Sequence, residues 1–260
     1  MTPAPVRVDH DGGLAVVTID SPPLNLFDDA VRTALSAAVD ELEHRTPRAV
    51  LVRAEGAVVS GGVDVRVFER LDGPNEAAAL FGELVAISRR VAALPCPTVF
   101  AAHGLCLTWA FELALACDLI LASEEASFGL IEATVGLTPA MGGTQRLAER
   151  AGSGRARELV LTAERFDAAT LHDWGVVNRV LPGDGFDAAA RDLATRLATG
   201  PTRAHAATKQ VVEHYLRGGV DAADEHVPAL AGELFATADL RGALDSFLRE
   251  GHGRARFEGR

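Results

Sequence analysis

The sequence predicts an α/β fold: a core in which strands and helices alternate, followed by a helical C-terminal unit. Three observations carry this expectation. Over about the first 185 residues, short β-rich runs alternate with segments of helical period. Beyond them the strand patterns stop, and "FDAAARDLATRLATG", "TRAHAATKQVVEHYLRGG" and "ADEHVPALAGELFATADLRGALDSFLREG" read as helices only. The chain of 260 residues is 48% hydrophobic and 23% charged, which suits a globular protein with a sizeable buried core. The division is expected at residues 1–195 for the α/β core and 196–260 for the helical region.

The elements follow in order. "VRVDHDGGLAVVTID" holds two β-rich runs around Asp11-Gly12-Gly13 and reads as a hairpin. Asp28 or Asp29 can cap the next helix, whose apolar residues Val31, Leu35, Ala38, Val39 and Leu42 keep helical spacing. "AVLVRA" is a short apolar strand, and "EGAVVSGGVDV" is a glycine-bearing loop. "NEAAALFGELVAISRRVAAL" is an amphipathic helix that Pro95 and Pro97 terminate before the strand in "PCPTVFAAHG". "GLCLTWAFELALACD" reads mostly as one apolar helix, and "DLILAS" is the strand after it.

Composition excludes several function classes. A formal net charge of −11 argues against nucleic acid or an anionic membrane surface as the main partner. No apolar run approaches the roughly 20 residues of a membrane span. "MTPAPVRVDHDG" lacks the charged start and apolar stretch of a signal peptide, so a cytoplasmic protein is expected. Cys96, Cys106 and Cys117 form no CxxC pair and lie in apolar surroundings, as buried thiols do. His10, His44, His172, His205, His214, His226 and His252 show no ligand spacing, and no metal is expected. His103, before the turn at Gly104, is expected to be a structural hydrogen-bonding residue.

Chemistry concentrates in three stretches. Glu112 is a lone carboxylate among Phe111, Leu113, Leu115 and Ala116, and burying an unpaired carboxylate is costly. In "EGAVVSGGVD" the chain turns through Ser60-Gly61-Gly62, where glycine lets a ligand approach a bare N–H. Near Thr108 a helix begins, and its first N–H groups lack internal partners. Two such N–H groups from separate loops would hold developing negative charge. A second carboxylate, Glu132, stands in a loop near Gly129 and Gly136.

These stretches resemble the crotonase (enoyl-CoA hydratase/isomerase) superfamily over essentially the whole chain. "SGGVD" matches its first loop, "GLCLTWAFELALACDLILAS" its second loop and the strand after it, and "FGLIEATVGLTPAMGGTQRL" its third block. "WGVVNRVLP", the helix from Pro201 through Lys209 and the closing pattern from Asp239 to Phe257 also fit. The resemblance implies a crotonase-like spiral of ββα units whose helical C-terminal region trimerises, with trimers often stacking into hexamers. It implies an acyl-CoA thioester as substrate, coenzyme A being part of that substrate and no separate cofactor being needed. It places the oxyanion-hole N–H groups at Gly61 and Trp109 and the two catalytic carboxylates at Glu112 and Glu132. Gly61, Gly62, Val63, Asp64 and Trp109 are expected to contact the substrate, with Asp64 also organising its loop. In hydratases of the family the carboxylate matching Glu132 delivers a proton to Cα and the one matching Glu112 activates water. The chemistry agrees, because adding water to an enoyl thioester needs both a base and an acid, and two crowded carboxylates cannot both ionise cheaply.

The chain departs from the family at two points, one of them Ala133-Thr134 after Glu132, where many relatives carry larger apolar residues. Thr108-Trp109-Ala110 replaces a triple glycine. The Trp109 ring either packs away from the ligand or lines the acyl pocket and reshapes it. Arg53, Arg66 and Lys209 are candidate CoA-phosphate contacts, and Asn25 is a candidate turn or cap residue. Three functions remain in play: an enoyl-CoA hydratase using both glutamates, a 3,2-enoyl-CoA isomerase using Glu132 alone, and a non-catalytic acyl-CoA-binding protein.

Overall fold

The computed structural model describes residues 4–260. A six-stranded sheet forms the centre, in the order β1 (Val6–Asp11), β2 (Leu14–Ile19), β3 (Ala49–Ala54), β4 (Thr98–Ala102), β6 (Leu119–Ser123) and β9 (Arg179–Leu181). The first pair is the expected hairpin, antiparallel with Val6 opposite Ile19; the other pairings are parallel. A smaller sheet holds β5 (Leu105–Leu107), β7 (Ser127–Gly129) and β8 (Phe166–Asp167) in that order, with β5 and β7 parallel. The helices are α1 (Asp29–His44), α2 (Arg66–Glu69), α3 (Pro74–Ala93), α4 (Trp109–Ala116), α5 (Gly143–Ala151), α6 (Ser153–Thr162), α7 (Ala168–Asp173), α8 (Phe186–Ala198), α9 (Thr202–Glu233) and α10 (Ala238–Glu250).

Local chemistry accounts for the main elements. Asp28 caps α1 by accepting from Val31 N at 2.8 Å, and the five apolar positions read from the sequence are the buried ones. Strand β2 is buried along its whole length because both faces are covered. Ala15, Val17 and Ile19 join the main core with α1, α3 and α4, whereas Leu14 and Val16 pack with Phe186, Ala190 and Ala194 of α8. Helix α9 carries a break at Gly219 (φ 77°, ψ −168°), at the glycine pair where the sequence separates two helices.

Apolar side chains remain exposed on the C-terminal helices, among them Tyr215, Leu216, Val220, Phe247 and Leu248. One expectation is corrected here. Residues 105–107 are not helical: they form β5, and α4 is only 8 residues long. The pairing of Cys106 with Phe128 and its bridge to Ser60 hold this stretch extended.

Candidate active site

The first glycine loop leaves the carboxyl end of β3 and runs beside β5. Ser60 N donates to Leu105 O (3.0 Å) and Leu107 N donates to Ser60 O (3.1 Å), which brings residues 60–63 alongside Thr108 and Trp109. A Cβ added at Gly62, which has φ 114°, would lie 3.4 Å from Thr108 Oγ1. The backbone angle is what calls for glycine there; the approach to Thr108 is ordinary van der Waals contact.

Which N–H groups are free follows from the hydrogen bonds. Gly61 N donates to Leu24 O at 2.8 Å, so the donor expected at Gly61 is occupied. Gly62 N donates to Ser60 Oγ at 3.0 Å. Phe27 N donates to Gly62 O and Asp64 N to Phe27 O, both at 2.9 Å, a parallel bridge that turns the intervening Val63 N–H to the opposite side. Val63 N has no acceptor among the described residues. The unpaired N–H of the first loop is therefore at Val63 and not at Gly61.

In the second loop, Thr108 N donates to Gly129 O at 2.9 Å and anchors the start of α4 to β7. Thr108 itself has φ 50° and ψ −119°, an unusual conformation for a β-branched residue. It redirects the chain so that Trp109 opens the helix with an N–H that has no intrahelical partner. A strained residue at a functional turn is a pattern seen where backbone geometry is set for chemistry.

The Trp109 side chain packs into the protein core. It is 2% exposed, its Nε1–H donates to Ser60 Oγ at 2.8 Å, and its ring meets Phe27 at 5.5 Å between centroids. Ser60 Oγ–H donates to Asn25 O at 2.8 Å. The indole is thus a brace between the two loops. Trp109→Phe is expected to lower unfolding stability by about 2 kcal/mol, measured by urea titration, because it removes this bond and leaves a void under Ser60.

Glu112 lies one turn along α4 and is 3% exposed. Its Oε2 accepts from Met141 N (2.8 Å) and Gly143 N (2.7 Å), at the start of α5. A Cβ at Gly143 would sit 2.7 Å from Glu112 Cγ, so only glycine lets the backbone come this close. Burial pushes the Glu112 carboxyl above its ordinary range, opposed by those backbone N–H groups and by the charge of Arg146. Glu132 opens a 3-10 turn (Glu132–Val135) that Gly136 closes at φ 76°. Its Oε2 is buried with no hydrogen-bond partner among the described residues. Burial first, and then the Glu112 charge, push its carboxyl up to about 8.

The remaining candidates lie elsewhere or serve the scaffold. Asn25 (φ 50°) holds its turn by donating to Glu55 O and Val58 O and accepting from Ser21 N. Asp64 pairs with Arg66, whose Nε lies 2.8 Å from Oδ1. Arg53 pairs with Glu55 and Asp187, and Lys209 Nζ donates to Asp118 Oδ2 and Cys96 O, so both cations have protein partners. His103 Nε2 meets Gly56 O at 3.0 Å. The three cysteines are buried thiols, and burial raises each of them. Sequence reasoning missed Val63 N as the free donor and Arg146 behind Glu112; the first needed the Leu24 contact, and the second sits in the quoted "GGTQRL" block.

The sequence profile of the enoyl-CoA hydratase/isomerase family matches residues 9–259. The chain belongs to this family. Within it, a probable enoyl-CoA hydratase of Mycobacterium avium is 36% identical over 206 residues, 78% of this chain and 79% of that protein. A short-chain-enoyl-CoA hydratase of Clostridium acetobutylicum is 28% identical over 249 residues, 94% of this chain and 95% of its own. A crystal structure of a Streptomyces coelicolor putative enoyl-CoA hydratase superposes with a TM-score of 0.92 at 27% identity, covering 100% of this chain and 96% of that one. An enoyl-CoA hydratase subunit from Geobacillus kaustophilus gives a TM-score of 0.90 at 28% identity and 98% coverage of each chain. The α/β fold with its helical C-terminal region is therefore the crotonase fold.

Proposed function

We propose that this family member hydrates a 2-enoyl-CoA thioester. The observation that carries the reading is the buried Glu112 carboxyl, whose charge raises a partly buried Glu132 with an unpartnered oxygen; the unpaired N–H groups of Val63 and Trp109 support it. Val63 N–H and Trp109 N–H hold the thioester oxygen as it gains charge. Glu112, with two N–H groups on Oε2, favours the ionised form of the pair and acts as base; Oε1 carries neither of those bonds and meets the attacking water. Glu132, with an orphan oxygen, favours the protonated form and gives its proton to Cα. The O–H bond of water breaks toward Glu112 and the water oxygen bonds to Cβ; the Cα=Cβ π bond opens, its electron pair takes the proton from the Glu132 O–H at Cα, and the two carboxyls again hold one proton between them.

The hydratase names of the relatives support this reaction class, and retention of both carboxyls supports hydration over the single-carboxylate isomerisation. The indole buried against Ser60 and Phe27 supports an undisturbed second loop, and with it catalysis over binding alone. Exposed apolar side chains on α9 and α10 support assembly into several copies, as the family resemblance implies. Among the described residues no helix is long and apolar enough to cross a membrane.

The test is loss of enoyl absorbance on mixing the protein with crotonyl-CoA and longer 2-enoyl-CoAs, with 3-enoyl-CoAs in parallel. Hydration product from the 2-enoyl series supports the proposal. Conversion of 3-enoyl to 2-enoyl thioester alone, or binding without turnover, overturns it. The pH dependence is a further expectation: kcat/KM should fall on the alkaline side with an apparent pKa near 8, as Glu132 loses the proton it must deliver.

A further inference from the structure

Glu112 does not bond Arg146 directly, yet the two are linked through one peptide group. Arg146 Nη1 donates to Gly142 O at 3.0 Å. That carbonyl belongs to the Gly142–Gly143 peptide, whose N–H donates to Glu112 Oε2 at 2.7 Å. The guanidinium pulls electron density toward the carbonyl oxygen, and the N–H on the other end of the same amide becomes a stronger donor. The geometry that permits this is built in. Gly142 sits at φ 99°, and a Cβ there would collide with Arg146 Nη1 at 2.1 Å. A Cβ at Gly143 would collide with Glu112. Both glycines are needed to sandwich a single peptide between the cation and the carboxylate.

We propose that Arg146 is a positioning residue of the reaction, acting through the Gly142–Gly143 peptide to keep Glu112 the ionised member of the carboxyl pair. The proposal rests on the assignment of Glu112 as base given above. It adds to the two N–H bonds on Oε2 a further reason for the shared proton to stay on Glu132. Burial raises both carboxyls, and the Glu112 charge raises Glu132 further. Arg146 lies on the Glu112 side, and no cation is among the groups that shift Glu132. The other charges that act on Arg146 are Glu149 on its own helix, Arg89 from α3 and Glu213 from α9. They are exposed and the same in each variant below, so solvent and salt screen them equally.

The experiment compares Arg146→Met, which fills similar space without donor or charge, with Arg146→Gln and Arg146→Lys. Two readouts are taken on the full chain: the pH profile of crotonyl-CoA hydration, and the titration of the Glu112 carboxyl by 13C NMR, assigned by its absence in Glu112→Gln. In Arg146→Met the acidic limb of kcat/KM and the NMR titration should both move up by about one pH unit. Arg146→Lys, which restores a cation at Gly142 O, should recover most of that shift, and Arg146→Gln should not. Should Arg146→Met fail to fold, the contrast between Lys and Gln carries the test. A Glu112 titration that is unmoved in folded variants overturns the proposal. An absence of hydration in the wild type overturns the base assignment instead, while the NMR titration still reads the link itself.

Discussion

Glu132→Gln should reduce hydration about 10²–10⁴-fold, the usual contribution of a positioned acid or base, and should raise stability at the same time. The two effects have one cause. The folded Glu132 carboxyl holds its proton up to about 8, against 4.5 for an ordinary glutamate. As pH rises between these values, the unfolded chain ionises at this residue while the folded chain resists, and stability falls through that window. Glutamine cannot ionise, so the variant escapes the loss. Its melting temperature should match that of the wild type near pH 4 and exceed it at pH 8.5, as scanning calorimetry would show. A variant that loses activity yet gains stability marks a residue kept for its reaction. Unchanged turnover would remove Glu132 from the mechanism.

The same residues show how far the sequence reaches. Glu112 is conspicuous in it because its neighbours offer no polar face, and a buried charge needs a reason. The strands and helices that carry the site are also legible, since their apolar spacing differs. What could not be read is which N–H in a run of glycine turns is free. That depends on Leu24 O capturing Gly61 N and on Phe27 bridging across Val63, contacts made by a segment far back in the chain. The fate of the Trp109 ring likewise depends on Ser60 and Phe27, neither of them a helix neighbour. Strand β5 escaped for a related reason. Leu105, Cys106 and Leu107 continue without interruption into the apolar helix, and a short apolar run has no period of its own. Only the β7 and Ser60 pairings make it extended.

Glu112→Gln separates the chemistry of the site from its architecture. The glutamine carbonyl can still accept from Met141 N and Gly143 N, so the start of α5 keeps its contacts and the fold should survive. What is lost is the base: a neutral amide cannot take a proton from water. Hydration should fall about 10²–10⁴-fold. Any 3-enoyl to 2-enoyl conversion, which asks for proton transfer by Glu132 alone, should fall much less. Glu112→Ala behaves differently, because it strands two buried N–H donors and opens a cavity. Each stranded donor costs about 1–3 kcal/mol, so this variant should lose stability as well as activity. Turnover assays on both thioester classes, read beside urea denaturation midpoints of the Gln and Ala variants, make the distinction. Equal losses of hydration and double-bond shift in Glu112→Gln, with stability intact, would show that the two carboxyls act as one unit and not as a base and an acid with separate tasks.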